Sequence, residues 1–473
     1  FIDINNLSRY IPILSLYLYY HNTKNSKKLL DIDKKYYVMK INECNDFKYY
    51  NSNKLAKITL LNMKNNTLKE TDCFIKIIPI LDVISYIKNN YNSKNNLLMP
   101  SNYNHNTYSK INSLYNSCYI DVFFSYIIGE LSNSNVNPSF PKFYSHLNGI
   151  MNNFKYDITE EYFDIINTKW FRNNIGHKFN INIYKDDSDS NSDSNSDSDT
   201  NLSYSSNSSN NSDINSLSQY SSEDNNDYVA CINNLPVQLL FIEKFESTLT
   251  SLFPELEINL LISCYFQINF CLIYLKKKFK FTHNDLHTSN IMFKNTDKKF
   301  LYYKYNNLYF KVPTYGKIFK IIDFGRSIFT FKNKLFHNDV FSFYGECEGQ
   351  YNYPINNIDL FINDKYKDEN NIKPNFSFDM CRLTTSVIEE INEYEIFKDK
   401  NEDIDNFMNL LNLILKDKDN VSIYSDSLKD NFDLYINIAK NACNGIPYDI
   451  INHKVFKKYK INKKQIPKKY YSI

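Results

Sequence analysis

Glycine is scarce in this chain: eight in 473 residues, with none before Gly129. Few positions can therefore supply the left-handed turns and close backbone approach that only glycine gives without strain. Proline is also rare, at 12, while Asn, Lys, Ile, Tyr and Asp are abundant. That bias follows AT-rich codons and reports on the genome rather than on chemistry. The nine cysteines (44, 73, 118, 231, 264, 271, 347, 381 and 443) are odd in number and dispersed, with no C-x-x-C pair. This spacing argues against a disulfide framework or a zinc site and for reduced thiols in a cytoplasmic setting. Charge of one sign is lacking too, since the formal total is +2. The balance points neither to a nucleic-acid site nor to an acidic partner. No uninterrupted apolar run reaches membrane length: Ile258 to Leu275 comes nearest, but Asn259, Ser263, Gln267 and Asn269 interrupt it. A buried helix is expected there, and no membrane span. Because the chain begins at Phe1 rather than Met, its start carries no information on a targeting signal.

What is present suits a large core, with 42% of residues apolar and 16% aromatic. The length allows two or three ordinary domains or one large two-lobed one. Residues 1–35 read as a helical or mixed lead-in. Strand-like runs follow at Tyr36 to Ile41, Leu55 to Met63 and Cys73 to Ile78. Between Leu114 and Leu131 the apolar residues recur at helical spacing until Pro138, after which PSFPKFY reads as a strand. From about 185 to 226 the chain turns to Ser, Asp and Asn, as in DDSDSNSDSNSDSDTNLSYSSNSSNNSD. Such a tract cannot bury enough apolar surface to offset its ordering entropy, so a disordered insertion is expected. Order resumes with LPVQLLFIEKFESTL (235–249) and a long helix from about 254 to 278. Residues 453–473, rich in lysine, read as a solvated basic tail.

Chemistry concentrates in FTHNDLHTSNIMF (281–293). Asp285 and Asn290, five apart in a loop between apolar segments, could bring a carboxylate and an amide oxygen to one phosphate-and-metal site. Thirty-eight residues after Asp285, the run KIFKIIDFGRSIF ends a strand in Asp323, Phe324 and Gly325. A carboxylate at a strand end followed by glycine suits a divalent cation. Upstream, CFIKII sets Lys76 among isoleucines, where it must snorkel outward or meet an anion.

Taken in order, a strand lysine, an acidic helix, a hinge, a long helix, H-x-D-x-x-x-x-N and D-F-G resemble the protein-kinase superfamily, over roughly residues 36 to 390. The longer phrases YYKYNNLYFKVPTYGKIFKIIDFGRSIF, GECEGQYNYP and SFDMCRL are similar to serine/threonine-kinase-like proteins of large DNA viruses, which would place the protein in host cytoplasm or virion. The resemblance implies an α+β, bilobal kinase-like fold, with a β-rich first lobe at 36–242 and a mainly helical second lobe at 243–452. It implies ATP and Mg²⁺ as cofactors and a protein substrate that remains unspecified. Asp285 would accept the proton of the attacking hydroxyl, with His287 beside it in the position of a catalytic lysine. Asn290 and Asp323 would hold Mg²⁺. Lys76 would grip the α- and β-phosphates, with Asp121 as its acidic partner. The backbone from Glu243 to Phe245, behind Ile242, would meet the adenine edge. Asp379 would bond the catalytic-loop backbone.

Three departures bear on function. ECNDFKYYNSN (43–53) stands where the family has its glycine-rich loop, which keeps a nucleotide-binding scaffold without transfer in view. Asn284 replaces the arginine that seats an activation-loop phosphate. His287 occurs likewise in small-molecule phosphotransferases, a third reading. The expectation is an Mg²⁺/ATP-dependent protein kinase acting on serine and threonine.

Overall fold

The computed structural model describes residues 2–13, 36–63, 65–91, 98–101, 107–185, 202–204, 226–343, 345–353, 372–398, 401–428 and 432–473. The chain divides into two compact units, Phe1–Ser113 with Tyr144–Lys244, and Leu114–Phe143 with Phe245–Ile473. Both combine helix with largely antiparallel sheet, so the fold class is α+β.

The first unit is built on β1 (Ile4–Ser8), β2 (Tyr36–Asp46), β3 (Lys54–Asn62), β4 (Thr67–Pro79), β5 (Phe143–Met151) and β10 (Leu235–Glu243), in spatial order β1-β5-β10-β4-β3-β2. Period-two burial explains β3: Lys54, Ala56, Ile58 and Leu60 are buried while Leu55, Lys57 and Thr59 are half-buried. All nine residues of β10 are buried, as an interior strand requires. The expected lead-in contributes an edge strand, β1 on β5, while residues 14–35 lie outside the described residues. The strand expected in PSFPKFY starts only at Phe143, because Pro138 and Pro141 supply no ladder donor ahead of it.

A second sheet in this unit comprises β6 (Phe154–Asp157), β7 (Phe179–Lys185), β8 (Leu202–Tyr204) and β9 (Asn226–Ile232), ordered β6-β9-β7-β8. Because β7 pairs with β9 from Phe179↔Ile232 to Lys185↔Asn226, the Ser/Asp/Asn tract leaves and re-enters at adjacent strand ends. Residues Leu202–Tyr204 inside the tract pair with Ile181–Ile183, a correction to continuous disorder. The rest of it, 186–201 and 205–225, lies outside the described residues.

In the second unit, α1 (Ser117–Asn133) begins at Asn116, whose side chain accepts from the Cys118 amide. Expected in the first lobe, α1 belongs here instead because of its aromatic face. Phe124 stacks on Phe281 at 4.6 Å and meets Phe329 at 4.5 Å, while Phe123 meets Phe336 at 5.2 Å. Glycine at 129 is a packing requirement, since a Cβ there would lie 2.4 Å from that of Phe143. The helix α2 (Ile258–Phe279) is buried nearly all round, the mark of an interior helix. Among the described residues it alone is long and apolar enough to cross a membrane, and it is core. It stops where Lys280 turns left-handed, with three lysines near the carbonyl end of its dipole.

Around α2 lie β11 (Ser247–Thr248), β12 (Ile291–Asn295) and β15 (Lys317–Ile321) as one sheet, and β16 (Phe329–Phe331) with β17 (Lys334–Phe336) as a hairpin. Helices α3 (Phe378–Glu393), α4 (Glu402–Ile414) and α5 (Phe432–Asn441) complete the unit. A further sheet sets β13 (Phe300–Tyr305) and β14 (Leu308–Pro313) between β18 (Lys460–Ile461) and β19 (Tyr471–Ser472). The expected basic tail is therefore woven into the fold.

Candidate active site

The register of one strand pair creates the site. Antiparallel pairing of β12 with β15 sets Ile291 against Ile321, and the Ile322 amide donates to the Asn290 carbonyl at 3.1 Å. Asn290 and Asp323 thereby reach the same end of the pair. Asp323 has φ +65°, a left-handed conformation that aspartate tolerates better than most residues. Its Oδ1 accepts from the Gly325 amide at 3.3 Å, and Asp121 Oδ1 accepts from the Phe324 amide at 3.1 Å. Asp121, buried on α1, thus pins the turn beyond Asp323; its Oδ1 also accepts from the Ser125 hydroxyl at 3.3 Å.

The loop carrying Asp285 hangs from Asp379 on α3. Both oxygens of Asp379 accept from the His283 amide, at 3.0 and 2.9 Å, and Oδ1 also accepts from the Asn284 amide at 2.9 Å. Burial pushes the Asp379 carboxyl above its usual range, partly offset by the His283 side chain and these amides. Asn284, standing where the resemblance expects an arginine, is fully buried at φ +64°. Its amide donates to Thr282 Oγ1 at 3.1 Å and the Arg326 carbonyl at 3.0 Å, and its oxygen accepts from Tyr351 at 2.8 Å. The asparagine is thus the loop's cross-link, a role an arginine could not fill.

Asp285 Oδ1 accepts from the Tyr435 hydroxyl at 2.7 Å and lies 3.4 Å from Arg326 Nη1. Burial is the largest single influence on the Arg326 pKa and lowers it, but Asp285, with Cys347, Tyr435 and Glu346 added, raises it overall. The sequence reading singles out neither Arg326 nor Tyr435. Arg326 sits in plain view after D-F-G, whereas Tyr435 lies 150 residues from Asp285 and leaves no local signal.

His287 turns inward. The Asn290 amide nitrogen donates to the Asp285 carbonyl at 2.9 Å and sits 3.0 Å from His287 Nε2. Burial pushes the His287 pKa down to about 4 against the pull of Asp285, so the ring is neutral near pH 7 and Nε2 accepts. With both amide hydrogens engaged, the Asn290 oxygen faces away as a fixed acceptor. Thr288 anchors the loop's far end through Ser386 and Glu390 on α3.

The donors fit magnesium. Asp323 and Asn290 offer hard oxygens from a stiff scaffold, and Mg²⁺ is commonly held by one or two such groups, with water and phosphate completing its shell. Among the described residues no group of three His, Cys, Asp or Glu forms a metal cage.

The structure thus brings together Asp121, Asp285, His287, Asn290 and Asp323 inside the second unit. Lys76 stands in the first unit, opposite Leu240 and half-buried on the face opposite buried Ile75 and Ile77. Glu243 ends β10 against Cys73, and Phe245 opens the second unit. In the glycine-free β2–β3 connection, Asn53 Oδ1 accepts from the Ile77 amide at 2.8 Å, and Tyr49 bonds Asp227 and packs on Tyr184 at 4.5 Å. Side chains hold this turn where glycine would leave it bare. No family model and no curated protein matches the chain.

Proposed function

We propose that the chain is an Mg²⁺- and ATP-dependent protein kinase, bilobal in fold, that transfers the γ-phosphate to serine and threonine hydroxyls of proteins. The supporting observation is the delivery of Asp285, Asn290 and Asp323 to one end of the β12–β15 pair, each on supports made within one unit. Phosphoryl transfer asks a protein chiefly for positioning and charge. In this reading Asp285 orients the acceptor hydroxyl and takes its proton. Asp323 and Asn290 would hold Mg²⁺, which supplies neutralisation of charge on the phosphate oxygens. His287 keeps the Asn290 oxygen aimed outward, and Asp379 with Asn284 holds the loop.

One observation favours a second reading, nucleotide binding without transfer: Asp285 Oδ1 is already engaged by Tyr435 and Arg326. The deciding assay follows labelled γ-phosphate from Mg²⁺-ATP into the protein, a mixed-protein acceptor and small alcohols, with Asp285→Asn and Asp323→Ala alongside. Transfer to protein that vanishes in both variants supports the kinase. Nucleotide that raises the melting temperature without transfer supports the scaffold, and transfer to alcohols alone supports a small-molecule phosphotransferase.

A further inference from the structure

Two parts of the chain play no part in the proposed site: the long connection between β12 and β15, and the lysine-rich segment after His453. The fold joins them in one sheet. The β13–β14 hairpin pairs from Phe300↔Pro313 to Tyr305↔Leu308; β19 adds parallel to β13, and β18 antiparallel to β14. One face of the hairpin is core: Leu301, Tyr303, Phe310 and Val312 are at most 2% exposed. Tyr303 packs against Phe270 at 4.5 Å and Phe310 against Phe266 at 4.9 Å.

Strand alternation sends Phe300, Tyr302, Lys304, Tyr309 and Lys311 to the other face, where all five are half-buried or exposed. Register sets Tyr302 beside Lys311 and Lys304 beside Tyr309, so at both of these pairs an aromatic ring faces an ammonium group across the strands, while Phe300 and Tyr302 follow one another along β13. Lys311 Nζ lies 4.0 Å from the Phe300 ring centre, and Lys304 Nζ lies 5.9 Å from that of Tyr309. In the two segments that carry this sheet the charge has one sign. Residues 298–317 and 454–473 hold thirteen lysines and no Asp or Glu. Since the whole chain carries +2, the remaining residues carry a net −11. The positive charge is thus concentrated, although Lys458 is engaged by Asp403 at 2.8 Å.

We infer that this four-stranded sheet is a docking surface for single-stranded nucleic acid. Lysines alone would suit any polyanion. The rings select among them, because flat aromatic groups between cations provide a face on which bases stack while ammonium groups meet phosphates. On one strand, side chains two apart recur about every 6.6 Å, which an extended single strand can match by placing successive bases over successive rings. A duplex hides its base faces, and a lipid surface offers none. None of these surface residues belongs to the proposed site, and the inference does not depend on phosphotransfer.

The test is fluorescence anisotropy of the full chain with labelled oligo-U and oligo-dT 20-mers across a salt series. The same oligonucleotides annealed into duplex, and vesicles with phosphatidylserine, serve as competitors. Two variants accompany it, Tyr302→Ala/Tyr309→Ala and Lys463→Glu/Lys464→Glu/Lys468→Glu/Lys469→Glu, each checked for an unchanged melting temperature. Binding to single strands is expected to weaken with salt at a slope of about −0.7 per phosphate contacted. The tyrosine variant should lose about fivefold or more per ring with the salt slope kept. The lysine variant should lose at least tenfold with a flatter slope. No binding at low salt, full affinity without the tyrosines, or preferential competition by duplex or vesicles would each overturn the inference.

Discussion

Replacing Asp379 by alanine tests the architecture of the site without reference to its chemistry. The carboxylate accepts from two amides, those of His283 and Asn284, and neither residue has measurable solvent exposure. An orphaned buried N–H costs about 1–3 kcal/mol, so two cost about 2–6 kcal/mol. Against this stands relief from burying a carboxylate, a penalty visible in the raised Asp379 pKa. Removing one partner of a buried charged arrangement generally costs about 3–5 kcal/mol, and the two estimates overlap there. Urea unfolding of the second unit, followed by the fluorescence of its many tyrosines, should register a loss of that size. Asp379→Asn keeps one acceptor oxygen and should lose about half as much. If alanine cost less than about 1 kcal/mol, the loop would not hang from this carboxylate, and the reasoning that builds the site on it would fail.

Glycine to alanine within a helix normally stabilises by about 0.5–1 kcal/mol. Gly129→Ala should instead destabilise by about 1–3 kcal/mol, because the new Cβ meets that of Phe143 at 2.4 Å and its backbone nitrogen at 2.9 Å; thermal unfolding checks the sign. Unfolded His287 takes its proton near 6.5 and folded His287 only near 4, so the unfolded state binds more protons between these values and stability falls as pH drops through that window. His287→Gln should flatten that part of a stability–pH curve, and an unchanged slope would remove His287 as its source. Tyr435→Phe deletes the 2.7 Å donor to Asp285 Oδ1. On the proposed kinase reading, phosphotransfer should rise several-fold because the hydroxyl caps a resting carboxylate; a fall in a γ-phosphate transfer assay would make Tyr435 a positioning residue instead.

Elements written in local periodicity are legible in the sequence alone: β2, β3 and β4 fall on alternating runs, and α1 and α2 on helical ones, with ends moved by a few residues. The loop at 281–293 and the turn at 323–325 are legible because short spacings bring Asp285 and Asn290, and Asp323 and Gly325, near one another. What escapes a sequence reading is non-local. The pairing of Tyr303 with Tyr471 spans 168 residues and leaves no periodic trace in a lysine-rich segment, so β19 reads as tail. Tyr435 reaches Asp285 only through the placement of α5. The membership of α1 is misread for the same reason, since its order in the chain gives no sign that Phe124 faces Phe281 and Phe329.

That last arrangement has a consequence for the protein's birth. When a ribosome has made α1 through Asn133, Phe281, the ring Phe124 stacks on, is still 148 residues away from synthesis. At about 5–20 residues per second, α1 waits about 7–30 s for it with its aromatic face uncovered. The first unit, complete once Lys244 emerges, can close during that interval. The nascent chain therefore carries a finished body and an exposed sticky helix at once, which makes residues 117–133 the segment that a chaperone working at the ribosome exit would meet first.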